Sequence, residues 1–359
     1  MITIVLCTAV SRRCFARDSA PNAPGADAAA LIEAGHWKRA RAILEPEVKA
    51  HPNDPRACYL LAQVKMSFKD FDGALRLAQH AVDLDGENSD FHLTLGHVYG
   101  QMAARASMFA AGPLAVKFRK EVETALALDP RNLDALDSMM QFKFQAPTLM
   151  GGDKDEAHAL AEKITLINAS EGYLAHATLA ELEKNAAQME MYYEKAVQAS
   201  PRNYAALIAL ARFYSQPAHP KYDEATKNAQ SALDLDPGRI GAPCVLARVY
   251  AVEERWSNLD QVLTAAEKSD PDDLCPYYEA AQALLERHKE LRRAEGYVKK
   301  YLSQEPEGGE PDSADAHRLL GLLLASQGKN SGAHAEMLFA PQLRPHFKAA
   351  EEDLEGLKY

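Results

Sequence analysis

Apolar positions along the chain recur with helical spacing, in paired segments joined by short polar turns. After Pro201-Arg202-Asn203, the run YAALIALARFY is followed by EATKNAQSALDLDP, which closes at Asp236-Pro237. This predicts a helix, a turn and a second helix stopped by proline. The pattern returns as APCVLARVY, a turn at Glu253 to Trp256, and LDQVLTAAEKSDP ending at Pro271, so Pro237 to Pro271 spans 34 residues. A repeat of that length predicts hairpins that each bury an apolar face only against their neighbours.

Small and aromatic residues recur within the pattern. Gly96 precedes Tyr99, Ala211 precedes Tyr214 and Ala247 precedes Tyr250, each by three positions. In the second helices, Ala74, Ala78 and Ala81, and again Ala225, Ala229 and Ala232, are spaced to let paired helices approach closely. Asn53 and Asp54, Asn132, Asn203 and Asp273 follow the repeat prolines and suit N-caps of the next helix.

These residues resemble the tetratricopeptide repeat. The resemblance implies an all-α, right-handed superhelical solenoid of about nine helix hairpins over 21–347, with a capping helix at 348–359. Repeats fall at about 21–54, 55–88, 89–132, 133–169, 170–203, 204–239, 240–273, 274–308 and 314–347. Two depart from the common length. The third holds ARASMFAAGP between Tyr99 and a second helix starting near Leu114, and the fourth holds QAPTLMGGDKDEA between its helices. Both are read as loops, which in solenoids gather on one face and often bind. The expected functional surface therefore includes Ala103 to Gly112 and Pro147 to Asp155, with Gly151 and Gly152 at its turn. The pairing is similar to that of a group of bacterial exported tetratricopeptide proteins, which implies export.

The same resemblance puts the first helix of each pair on an inner, concave surface. Alignment within the repeats then gives Tyr59, Gln63 and Met66, followed by Asp90, His97 and Gln101, and by Asp137, Gln141 and Phe144. Arg212, Arg248, Tyr278, Gln282 and Arg318 follow further along. Some relatives clamp a chaperone's terminal carboxylate with lysine and asparagine at such positions. Here Tyr59, Gln63, Asp90 and Thr94 stand there, so no clamp of that type is expected.

Charge narrows the partner. The formal net charge is −11, from 51 acidic and 40 basic residues, which opposes nucleic acid and anionic membranes. Another protein or peptide is the expected partner, with self-association through an exposed end, or a small ligand held as a non-catalytic subunit of an enzyme or transport system, as rivals. The sequence has no G-x-x-x-x-G-K-[ST], HExxH or G-x-S-x-G, so no catalytic residue, metal or cofactor is assigned. His92 and His97, five apart, lie on different faces of a helix. The Gly151-Gly152-Asp153-Lys154 turn reads as a tight turn, with Asp153 or Asp155 capping the next helix. The five cysteines show no CxxC and are read as inert apolar residues rather than a zinc site or disulfide framework. The apolar run MITIVLCTAV has the length of a leader, although no positive region precedes it and Arg12, Arg13 and Arg17 follow it. Residues 1–20 are read as a leader or a disordered segment, with a short membrane anchor as a third reading, and the mature chain as exported where the leader is real, the alternative being cytoplasmic. No later run approaches the length of a membrane span.

Overall fold

A computed structural model of the protein describes residues 24–309, 311–344 and 347–356. These form nineteen α-helices and one short 3-10 turn, with no strand among the described residues. The expected leader lies outside the described residues. The chain divides into two compact units, Met1–Ala206 and Leu207–Tyr359.

The first unit contains α1 (Pro24–Ala34), α2 (Trp37–Ala50), α3 (Pro55–Ser67), α4 (Phe71–Leu84), α5 (Ser89–Arg105), α6 (Met108–Leu128), α7 (Leu133–Gln145), α8 (Lys154–Ile167), α9 (Ala169–Leu182) and α10 (Ala186–Ala199). Helix α11 (Tyr204–Ser215) opens at the end of this unit. Consecutive helices pack as antiparallel pairs, α3 on α4, α5 on α6, α7 on α8 and α9 on α10. Alanines of the second helices, among them Ala74, Ala78 and Ala81, are fully buried where the paired helices meet. Gly96 and Gly100 let α6 approach α5: a Cβ on Gly100 would stand 3.1 Å from the Phe118 ring.

A shared turn geometry ends the first helix of many pairs. Gly35, Lys69 and Lys184 adopt positive φ, and the amide after each reaches five residues back, as in Asp70 N–H to the Lys65 carbonyl at 2.9 Å. That is the Schellman closure. A side chain in left-handed backbone costs roughly 1–2 kcal/mol, so at Lys69 and Lys184 helix-pair packing imposes a turn that the local sequence disfavours. The N-caps follow the sequence expectation more closely. Carboxylate or amide oxygens of Asp54, Asn132 and Asn203 accept amide bonds from the first turns of α3, α7 and α11. Asn132 also joins two repeats, donating through Nδ2 to Ser89 Oγ and Asp90 Oδ1, while Ser89 donates to the Ala125 carbonyl. Asn203, Ser170, Glu171 and Ala196 repeat the same latch.

The third repeat corrects the loop reading. Its extra residues extend both helices, giving α5 17 residues and α6 21, joined through Ala106 and Ser107. Alanine-rich sequence with a tolerated Pro113 propagates the helix where the period alone suggested a loop. The fourth repeat does contain a loop. It runs through the 3-10 turn Thr148–Met150 to Gly151, with φ of 96°, and Asp153 caps α8 at the Glu156 amide.

The second unit contains most of α11, then α12 (Tyr222–Leu235), α13 (Gly241–Val252), α14 (Trp256–Ser269), α15 (Cys275–Glu286), α16 (Leu291–Tyr301), α17 (Ser313–Ser326), α18 (Asn330–Leu343) and α19 (Lys348–Gly356). Its turns at Glu254, His288 and Gly328 repeat the left-handed closure. Helix α13 packs directly along α15, and Ala247 of the one and Ala280, Ala281 and Ala283 of the other are fully buried. There the reading of the cysteines as inert is corrected. Cys244 and Cys275 form a disulfide with Cα atoms 5.8 Å apart, because the close packing of α13 and α15 brings them within bridging distance. Cys58 remains a buried thiol, as expected of a small apolar residue.

Candidate functional site

Within the first unit, α1, α3, α5 and α7 line a groove of about 1220 Å³. The carboxy-terminal half of α1, the length of α3 and the amino-terminal parts of α5 and α7 contribute, together with Trp37 at the start of α2 and the turns at 85–88 and 128–132 that lead into α5 and α7. Tyr59, Gln63, Met66, Asp90 and His97 of the expected set are gathered here. The Tyr59 ring leans on Phe91 with centroids 5.0 Å apart, which fixes it at the groove wall. Gln63 and Thr94 are almost fully buried at its floor. His97 faces Ser138 through Nε2, 2.8 Å from the hydroxyl, and burial lowers its pKa to about 4, so it is neutral near pH 7.

The remaining expected residues lie elsewhere. Gln101 accepts a bond from Arg105 at 2.6 Å, and Gln141, nearly buried, donates to Asp137 on its own helix at 2.7 Å. Phe144 belongs to a core cluster with Leu136, Met140 and Ala157, under the Lys154 ammonium at 4.5 Å. Gly151 and Gly152 shape the fourth repeat's loop. A Cβ on Gly152 would stand 1.8 Å from the Ala146 carbonyl oxygen, and Arg119 donates to the Met150 carbonyl, tying the loop to α6. In the second unit Arg212 is half-buried, its carbonyl holding the Ser215 hydroxyl. Arg248 is 3% exposed, bonded to Glu286 at 2.5 Å and to the Ser215 carbonyl, with Glu279 at 3.7 Å. Tyr278 packs on Tyr301, and burial raises its phenol pKa well above the ordinary value.

The groove also includes residues that alignment passed over, notably Glu33, Trp37, Arg56, Asp129, Arg131 and Asp134. The signal for Asp134 was present. Counted from the caps Asn88 and Asn132, it is the counterpart of Asp90, whereas Asp137 and Phe144 belong to a different phase of α7. His92 is held by structural bonds, to Glu121 at 2.7 Å and to the Gly86 carbonyl. No group of three metal-ligating side chains is found among the described residues.

Comparison with known proteins agrees with this architecture. A family profile described as tetratricopeptide repeat protein 21 second ARM domain matches residues 2–103. The crystal structure of yeast Tom70 superposes with a TM-score of 0.51 at 14% identity, covering 93% of this chain and 80% of that one. The chain has the tetratricopeptide-repeat fold. A tetratricopeptide repeat protein from Parabacteroides merdae matches with a TM-score of 0.49 at 15% identity, over 73% of this chain and 99% of that one. A search of curated proteins returns no match. In tetratricopeptide terms, the groove is formed by the first helices of successive hairpins, and the alanine-rich second helices form its backing. No helix among the described residues is long and apolar enough to cross a membrane.

Proposed function

We propose that this chain is a non-catalytic protein-binding module that holds a partner polypeptide along the groove of its first unit. The observation that carries the reading is the groove itself. It exceeds the roughly 300–1,000 Å³ usual for small-molecule sites, and its wall mixes aromatic, apolar and charged side chains from the first helices of four successive hairpins and from Trp37 of α2. Such a wall is set by packing in the free protein, so little ordering cost opposes binding. The four helices, spaced about 10 Å apart, span roughly 30 Å, which an extended peptide covers in about nine residues.

The test is capture from an extract of the source cell with the native chain and with Asp90→Trp, followed by titration of the recovered partner. Asp90 is exposed at the groove wall, so the indole fills the groove without entering the core. Retained affinity in a folded Asp90→Trp variant would remove the groove from the account.

The inserted segments support a second contact surface. Phe109 at the start of α6 is 90% exposed, and Leu149 in the fourth repeat's loop is 98% exposed. Loss of capture by the double variant Phe109→Ser/Leu149→Ser, with Asp90→Trp still binding, would favour this surface. Export is supported by the Cys244–Cys275 disulfide, since such bonds persist in oxidising compartments. Under this reading the mature chain begins between about Ala16 and Ala26, which N-terminal sequencing of natively expressed protein checks.

A further inference from the structure

We infer that the groove of the first unit selects a basic segment, an extended stretch carrying Lys or Arg interleaved with aliphatic residues. The inference rests on the proposed groove function and names the chemistry of its occupant. Six carboxylates line the groove, those of Glu33, Asp85, Glu87, Asp90, Asp129 and Asp134. Only two guanidinium groups, of Arg56 and Arg131, stand among them, and the neutral His97 adds no positive charge. The wall therefore carries a surplus of four negative charges.

The carboxylates are held in place, since Asp90 accepts from Asn132 at 2.9 Å, Asp85 from the Glu87 amide and Asp129 from the Arg131 amide. An ionised carboxylate offers about four acceptor sites, so a carboxylate fixed by a turn amide keeps the capacity to meet a further donor. Glu33 and Glu87 are exposed at the groove. Between these charges lie Trp37, Tyr59 and Met66, surfaces on which the methylene stem of a lysine or arginine packs while its head reaches a carboxylate. An acidic segment would meet the like-charged wall. So would a second copy of this chain, whose net charge is −11.

The experiment uses the full chain and three fluorescein-labelled peptides of equal length, alternating Lys/Leu, Ser/Leu and Glu/Leu, followed by anisotropy at low and high salt. Three proteins are compared: the native chain, Glu33→Gln/Glu87→Gln/Asp90→Asn in the groove, and Glu351→Gln/Glu352→Gln/Glu355→Gln, which removes the same charge from α19. The inference predicts that the Lys/Leu peptide binds at least about tenfold tighter than the Ser/Leu peptide. The groove variant should lose about tenfold toward it, the α19 variant should lose little, and salt should weaken the native complex. Equal losses in the two variants would mean attraction to net charge alone and would overturn it. If the Ser/Leu or Glu/Leu peptide binds as tightly as Lys/Leu, and Asp90→Trp abolishes that binding, the groove function stands while the basic preference falls. If none of the three binds, both fall. Concentration-dependent dimerisation that Asp90→Trp abolishes would give the groove to a second copy and overturn the inference.

Discussion

The two units build the same hairpin and use its inner positions differently. In the first, α3 and α5 touch at few points, and Tyr59, Gln63, Asp90 and His97 line open space. In the second, α13 lies against α15, bonded through Cys244–Cys275, and the inner positions are occupied by the protein itself. Arg248 reaches back to the Ser215 carbonyl and forward to Glu286, and Tyr278 is sealed against Tyr301. A repeat position therefore specifies where a side chain points, while the spacing between successive first helices decides whether it meets a ligand or a neighbour. Small residues and the disulfide close that spacing in the second unit.

The largest test of this contrast removes the disulfide. The residues are 31 apart in sequence, for which loop-closure entropy predicts about 3.7 kcal/mol. Cys244→Ser/Cys275→Ser should lower the unfolding free energy read from urea titration by that order while leaving peptide affinity in the first unit unchanged. Loss of groove binding in a folded variant would erase the distinction between the units.

Arg248→Met should cost about 2 kcal/mol. A buried pair broken on one side costs roughly 3–5 kcal/mol, but Glu286 and Glu279 keep 29% and 24% exposure and recover hydration. Urea unfolding checks the value, and an effect within the usual surface range would mean that the arginine is available to a ligand after all. Tyr59→Ala gives the opposing comparison, a modest loss of stability with a large loss of peptide affinity.

Acid separates the units by window. The His97 pKa is lowered from 6.5 to about 4 by burial, so the unfolded chain takes up this proton first and stability falls as pH drops from about 6.5 toward 4. In the second unit, Lys299, Lys329 and Gln327 hold Glu295 down at about 2, so its contribution is intact above about 4.5 and is lost as pH falls toward 2. Each contributes about 1–2 kcal/mol after allowance for solvent screening. His97→Gln should flatten the upper window and Glu295→Gln the lower, as read from stability against pH. The smallest effect belongs to the inserted segments, where Phe109→Ser/Leu149→Ser should change stability by less than about 0.5 kcal/mol, since both side chains face solvent.

How much of this was legible depended on distance along the chain. Alanine spacing, the glycine or alanine three before each tyrosine, and the caps at Asp54, Asn132 and Asn203 are local signals, and they carried the all-helical repeat and its register; Asp273 sits one residue before the cap of α15, accepting from the Cys275 amide. The disulfide was hidden because a whole hairpin separates its cysteines and only the packing of α13 on α15 joins them. The extended α5 and α6 were hidden for another reason, since alanine-rich sequence between periodic segments fits a loop or a longer helix equally well. In the fourth repeat, alignment gave Asp137, Gln141 and Phe144, whereas counting from the cap Asn132 identifies Asp134 as the groove residue and leaves Phe144 to the core. Arg248 and Tyr278 occupied plausible inner positions, but their burial comes from residues on neighbouring repeats.

The most direct measurement of the central claim is hydrogen–deuterium exchange of the full chain with and without saturating Lys/Leu peptide. The account predicts slowed exchange in α3, α5 and the turns at 85–88 and 128–132, with α13 and α15 unchanged. Protection confined to α13 and α15, with the first unit unaffected, would contradict it.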